Sequence, residues 1–165
     1  MESSWRVVCS IEDDLGRAEA NTAFSLVLRQ VQSLYVLMSI RIEAPRTDLE
    51  SYFWLYHRDV PEFRNAVESI HDRLEGATEF IDMSGRNTLR LGVCNRRRGL
   101  IGLSGQLEPT RAIGAAFESS VSQEANLGLQ LNYAGLLIDQ SDLPSLLDTL
   151  SQFIQHWELP VPEEG

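Results

Sequence analysis

LLIDQSDLPSLLDTLSQF, residues 136–153, changes its hydrophobic period at Asp139. Before the break, Leu136, Leu137 and Ile138 form a short apolar run of the kind that fills a buried strand. After it, Leu143, Leu146, Leu147, Leu150, Ile154 and Trp157 fall three and four residues apart, the single stripe of an amphipathic helix over 142–157. Ser141 or Asp142 is the expected cap, and Pro144 fits in the first turn, where its missing N–H costs nothing. Asp139 and Gln140 then lie near the positive end of the helix dipole. That placement accounts for an acid there without chemistry, and it also leaves Asp139 as a candidate partner contact. A strand that passes directly into a one-faced helix needs a sheet for the helix to lie on, so the chain is of mixed α and β structure.

Strand signals continue upstream of this joint. NLGLQLNY (126–133) alternates Leu127, Leu129, Leu131 and Tyr133 with small or polar residues. TLRLGVC (88–94) puts Leu89, Leu91 and Val93 on one face, and LIGLSGQLE (100–108) does the same with Ile101, Leu103 and Leu107. The polar break Asn95–Gly99 between them predicts a hairpin, its three arginines either meeting an anion or simply solvating the tip. RAIGAAFESSVSQEA, residues 111–125, is a long and poorly patterned connection.

The first half follows the same logic. WRVVCSI (5–11) and FSLVL (24–28) are strand-like, joined through the turn-forming EDDLGRAEANT, and in LYVLMSIRIE (34–43) Val36, Met38, Ile40 and Ile42 form a wholly apolar face. Pro45 ends regular pairing. A helix is predicted over 60–75: Asp59 caps it, Glu62 reaches back, Phe63, Ala66, Val67, Ile70 and Leu74 form the stripe, and Gly76 stops it. Between Pro45 and that helix, SYFWLYH (51–57) alternates Tyr52, Trp54 and Tyr56 with Phe53 and Leu55. These aromatics either anchor an interface or close the core between strand and helix. The predicted fold is α+β, a mostly antiparallel sheet of about six or seven strands with two helices on one face. One domain is expected over 1–157, with a frayed acidic tail at 158–165.

Composition bounds the function. The chain has 165 residues, 43% of them hydrophobic and 23% charged, which suits one folded core. Its formal net charge of −10 argues against nucleic acid as a partner, because phosphate binding depends on Lys and Arg, and favours a basic protein. Acids gather at Glu12, Asp13 and Asp14, around Glu43, Asp48 and Glu50, and at Glu158, Glu163 and Glu164, either as a solubilising surface or as a steering field. No apolar stretch is long enough for a membrane span, and the acidic start is unlike a signal peptide, so no membrane partner and a cytoplasmic location are expected. Cys9 and Cys94 read as buried small hydrophobes without a disulfide.

No motif for catalysis emerges. GLSG (102–105) lacks the glycine spacing of a nucleophile elbow, and Gly99, Gly102 and Gly105 precede no helix that would hold a phosphate. His57, His71 and His156 are isolated, so no metal or cofactor is expected. The letters HRD at 57–59 stand without the glycine-rich loop, lysine strand or DFG of a kinase.

The order of these segments, LYVLMSIRIE, DVPEFRNAVESI, NTLRLGVCNRRRGLIGLSGQLE and LGLQLNYAGLLIDQSDLPSLLDTLSQFI, resembles the WapI-type immunity proteins over residues 34–156. The closest feature is the strand that runs into DQS and a leucine-rich helix. The chain departs from that pattern at FIDMSGRN (80–87), where a glutamate-bearing strand segment is usual, and adds an N-terminal strand region. The resemblance implies a non-enzymatic monomer or small homo-oligomer, without cofactor, that binds and neutralises a basic toxin domain inside the producing cell. Tyr52, Trp54, Tyr56, Glu12, Asp13, Asp14 and Asp139 are its candidate contacts. The alternatives are an interaction domain with an unrelated partner and a small-molecule binder with a deep polar pocket.

Overall fold

The computed structural model describes residues 4–12, 18–45, 47–108, 111–114 and 131–158. Among them the chain runs β1 (Ser4–Glu12), β2 (Ala18–Val31), β3 (Tyr35–Ala44), β4 (Thr47–Tyr56), α1 (Asp59–Arg73), β5 (Ala77–Ile81), β6 (Thr88–Asn95), β7 (Leu100–Leu107), β8 (Arg111–Gly114), β9 (Leu131–Asp139), a 3-10 turn (Gln140–Asp142) and α2 (Leu143–Glu158). The class is α+β as expected, with two helices. The sheet, however, has nine strands in the described residues rather than six or seven, in the order β5-β6-β7-β9-β1-β2-β3-β4-β8, and every paired neighbour is antiparallel.

The added strands come from three places. Residues 47–56 form a full strand, paired with β3 from Ala44↔Thr47 to Tyr35↔Tyr56, so Pro45 sits in the tight turn of a hairpin. The other two are β5 and β8, strands of five and four residues that periodicity passes over, while the expected strand around residues 24–28 lengthens into β2, which begins at Ala18 inside the expected loop. The expected strand residues Leu127 and Leu129 lie outside the described residues, as does the tail from 159.

One face of the sheet is apolar throughout. Trp5, Val7 and Cys9, then Phe24 and Leu26, the predicted quartet Val36, Met38, Ile40 and Ile42, Phe53 and Leu55, Leu89 and Leu91, Ile101 and Leu103, and Leu136 and Ile138 are all buried in one cluster. Both helices close this face. α1 packs on β4, β5 and β6, α2 on β1 and β2, and the helices touch each other. Val60, Phe63, Val67 and Ile70 of α1, and Leu143, Leu146, Leu150 and Phe153 of α2, supply the cover. Phe63 stacks on Phe80 of β5 with ring centroids 3.8 Å apart.

The helix ends differ from expectation. The cap of α1 is Arg58, which offers no side-chain bond, and Asp59 is the first helical residue. The helix stops at Leu74, held left-handed at φ 51°, with its N–H on Ile70 O, ahead of Gly76 at φ 92°. At the second joint the cap is Asp139, not Ser141 or Asp142. Its carboxylate accepts the Ser141 N–H at 2.9 Å, while its own N–H donates to Asp142 Oδ2 at 2.9 Å, a reciprocal capping box. The bonds from Ser141 hold the Asp139 carboxyl below its ordinary pKa.

Cys9 is buried, and burial pushes its thiol up to about 12; Cys94 is exposed, contrary to expectation, because the end of β6 runs out of the core.

Candidate functional site: the outer face of β4 and the seam beside it

Strand geometry sorts SYFWLY into two faces. Phe53 and Leu55 enter the core at 1% exposure each, so they satisfy the apolar demand of this segment. Tyr52, Trp54 and Tyr56 therefore point the other way and are exposed at 38%, 37% and 39%. They do not close the core between strand and helix; they form a ladder on the outer surface.

The ladder is held on a rigid backing. Leu37 and Tyr35 of β3 stand directly across from Trp54 and Tyr56, and the rings of Tyr35 and Tyr56 lie 5.5 Å apart. The Arg58 guanidinium sits 5.1 Å over the Tyr56 ring. At the other end Tyr52 stands across from buried Ser39, whose hydroxyl accepts the Arg29 Nε–H at 2.9 Å. Arg29 also reaches Glu50 at 3.4 Å, and Glu50 accepts from Tyr52, which raises the phenol's pKa. Beyond it Arg41 grips Asp48 through two bonds of 2.9 and 2.7 Å. The face thus grades from aromatic to charged along its length.

Beside the ladder the two ends of the curled sheet meet. The Met83 N–H, just past β5, donates to Trp54 O at 2.9 Å. Next to it a buried polar network fixes the joint. Asp82, 8% exposed, accepts from the Ser84 hydroxyl at 2.8 Å, from the Arg86 N–H at 3.1 Å and from Asn87 Nδ2 at 2.9 Å. Asn87 Oδ1 in turn accepts from the Ser51 hydroxyl at 2.7 Å and the Glu108 N–H at 2.8 Å. The segment FIDMSGRN is therefore a clasp that ties β4 to the turn between β5 and β6 and to the end of β7. It also presents Met83, 46% exposed, at the residue bonded to Trp54, and Ile81, 50% exposed, two positions before it.

Of the predicted contact residues, the structure brings together Tyr52, Trp54 and Tyr56. Asp139 is elsewhere, on β9, four places from β4 in the sheet order, where it borders a cleft of 240 Å³ with Val8, Ser10, Arg98 and Asp142. Glu12 ends β1, its side chain outside the described residues, as are Asp13 and Asp14 altogether. Ile81, Met83, Tyr35 and Arg58 were missed by sequence reasoning, because their place beside the ladder depends on strand order. Among the described residues no group of three or more His, Cys, Asp or Glu is placed to hold a metal ion, and no helix is long and apolar enough to cross a membrane.

No protein-family model matches the chain, and no curated protein matches it.

Proposed function

We propose that this chain is a cytoplasmic, non-enzymatic protein-binding module of the immunity type, which binds a basic toxin domain and neutralises it by occlusion. The observation that carries this reading is the exposed Tyr52, Trp54 and Tyr56 ladder on an ordered sheet. Such rings bring large apolar area with few rotatable bonds, so their immobilisation costs little, and Tyr and Trp are the residues that most often dominate interface energy. Their setting, with Arg29, Glu50 and Arg58 around them, has the polar rim of an interface. The net charge of −10 supports a cationic partner, since complementary fields raise association rates and penalise wrong partners. The resemblance of the ending, LLIDQSDLPSLLDTLSQF, to immunity proteins supports the class of partner.

The test is affinity capture from the lysate of the protein's own host, run in parallel with the wild-type chain and a Tyr52→Ser/Trp54→Ser/Tyr56→Ser variant, and repeated at raised salt. The reading expects one basic, toxin-like protein, retained by the wild type, lost by the variant and released as salt rises. A partner retained equally by both chains contradicts it.

A further inference from the structure

Among the described residues β5 is a terminal strand of the sheet, and its register with β6 reveals which of its backbone groups are turned outward. Gly76 O accepts the Val93 N–H at 3.1 Å, and the Asp82 N–H donates to Asn87 O at 3.0 Å. Antiparallel pairs alternate between bonded and non-bonded positions, so Thr78 and Phe80 exchange bonds with Leu91 and Leu89, whereas Ala77, Glu79 and Ile81 turn their N–H and C=O groups to the open side. Their side chains are exposed as well. On that open side lies a cleft of 280 Å³ between β5 and the first turns of α1. Its apolar wall is the stacked pair Phe63 and Phe80, and all three of its charged groups, Asp59, Glu62 and Glu79, are carboxylates. That volume falls short of the ~300–1,000 Å³ of a small-molecule site and suits one long side chain with an apolar stem.

We propose that the edge of β5 over Ala77–Ile81, which ends where the Met83–Trp54 bond closes the seam, is a second docking element, where an extended basic segment of the partner adds as a further strand and sets a Lys or Arg side chain in the cleft among Asp59, Glu62 and Glu79. This deepens the protein-binding reading and rests on it. Strand addition supplies affinity through main-chain bonds, and the alternating pockets supply selectivity. Charge selects the occupant. A second copy of this chain, added antiparallel about the centre of Ala77–Ile81, sets Glu79 against Glu79, a repulsive cross-strand pair, whereas a basic residue there is attractive. Arg90, the neighbour of Glu79 on β6, lines an adjoining cleft of 200 Å³ with Ala77, Thr78 and Glu79, and Arg58, held over Tyr56, also pairs with Asp59 at 3.9 Å, so the two arginines border the acidic cleft without lining it and Glu62 and Glu79 carry most of its attraction for a cation.

The probe is a seven-residue capped peptide of alternating Lys and Thr, with a Glu and Thr peptide as control, added to the isotope-labelled full chain while amide hydrogen exchange is followed by NMR. The expected result is saturable binding of the basic peptide, with exchange at Ala77, Glu79 and Ile81 slowed about tenfold or more and Thr78 and Phe80 unchanged. Glu79→Lys, on the surface and outside the core, weakens that binding about tenfold, and N-methylation of alternate peptide amides abolishes it. Absence of saturation up to roughly 1 mM overturns the inference. Binding that perturbs Tyr52, Trp54 and Tyr56 without slowing the β5 amides overturns it too, while leaving the aromatic-face reading standing. Concentration-dependent protection of Glu79 without peptide overturns it in favour of self-pairing.

Discussion

The Tyr133 hydroxyl donates to the main-chain carbonyl of Thr88 at 2.9 Å, and it does so across Gly105, where a β-carbon would stand 2.7 Å from that hydroxyl and collide with the carbonyl itself. Tyr133 belongs to β9 and Thr88 to β6, with β7 between them, so a side chain bridges strands that are not neighbours. It reaches over because β7 shifts register between Leu103 and Gly105, leaving a gap that a glycine alone keeps open. Burial of the phenol raises its pKa and keeps it protonated as the donor. Gly105→Ala is expected to destabilise the fold by about 1–3 kcal/mol through overpacking, and Tyr133→Phe by about 1–3 kcal/mol through the unpaired carbonyl. Because both changes act on one bond, the double variant should lose less than the sum, a coupling that denaturant titration of the four proteins measures.

The clasp around Asp82 makes a second prediction. Asn87 serves Ser51, Glu108 and Asp82 at once, so Asn87→Ala leaves several buried groups unpaired and should cost about 3 kcal/mol or more. Ser51→Ala removes one donor and should cost about 1 kcal/mol. Thermal unfolding separates the two. Equal and negligible shifts would mean that the seam between β4 and the β5–β6 turn is not closed in solution.

Much of the fold was legible because its strands have one apolar and one polar face. Val36, Met38, Ile40 and Ile42 announce β3, and Leu89, Leu91, Ile101 and Leu103 announce the β6–β7 hairpin, all of them buried as their period requires. β4 was hidden for the opposite reason: Tyr52, Trp54 and Tyr56 are as large and aromatic as Phe53, so the two alternating sets show no contrast in polarity even though the faces have opposite fates. β5 is too short to show a period, and its outward Ala77, Glu79 and Ile81 mix apolar with acidic residues. The candidate site was half visible. Its aromatics are local in sequence, but Met83 beside Trp54 and Asn87 beneath Ser51 join residues about thirty or more apart, and no local pattern encodes strand order. The Asp139 cap was misplaced by two or three residues because a 3-10 turn precedes α2 and moves the capping position upstream.

Phe63 anchors α1 to the terminal strand. Phe63→Ala should cost about 3–5 kcal/mol, and Phe63→Leu distinctly less, since the cavity left behind is smaller. Loss of the Phe80 ring's partner should also loosen β5 first, seen as faster amide exchange at Thr78 and Phe80 than elsewhere in the sheet.

Asp139 carries a pH signature. Its carboxyl is held below the ordinary value of 3.8 by the bonds from Ser141. A depressed carboxyl contributes stability that is complete above the unfolded value and disappears as pH falls through the folded one. Asp139→Ala should therefore cost about 1 kcal/mol at neutral pH, as for other caps, and the gap between variant and wild type should close as pH falls below 3.8. Solvent screening at this exposed residue keeps the pH-dependent part a fraction of that figure. A gap independent of pH would show that packing, not the charged cap, sets the cost.

Protein binding by the outer face of β4, as proposed, is probed most directly at Trp54. Once the basic partner is captured, the dissociation constant is measured for the wild type, for Trp54→Ala and for Asp139→Ala, with the melting temperature of each recorded alongside. The expected outcome is about a thirtyfold or greater loss of affinity for Trp54→Ala, the mark of a central anchor, no loss for Asp139→Ala, which lies four strands away, and an unfolding temperature little changed by Trp54→Ala. Affinity within about twofold of wild type for Trp54→Ala would contradict it.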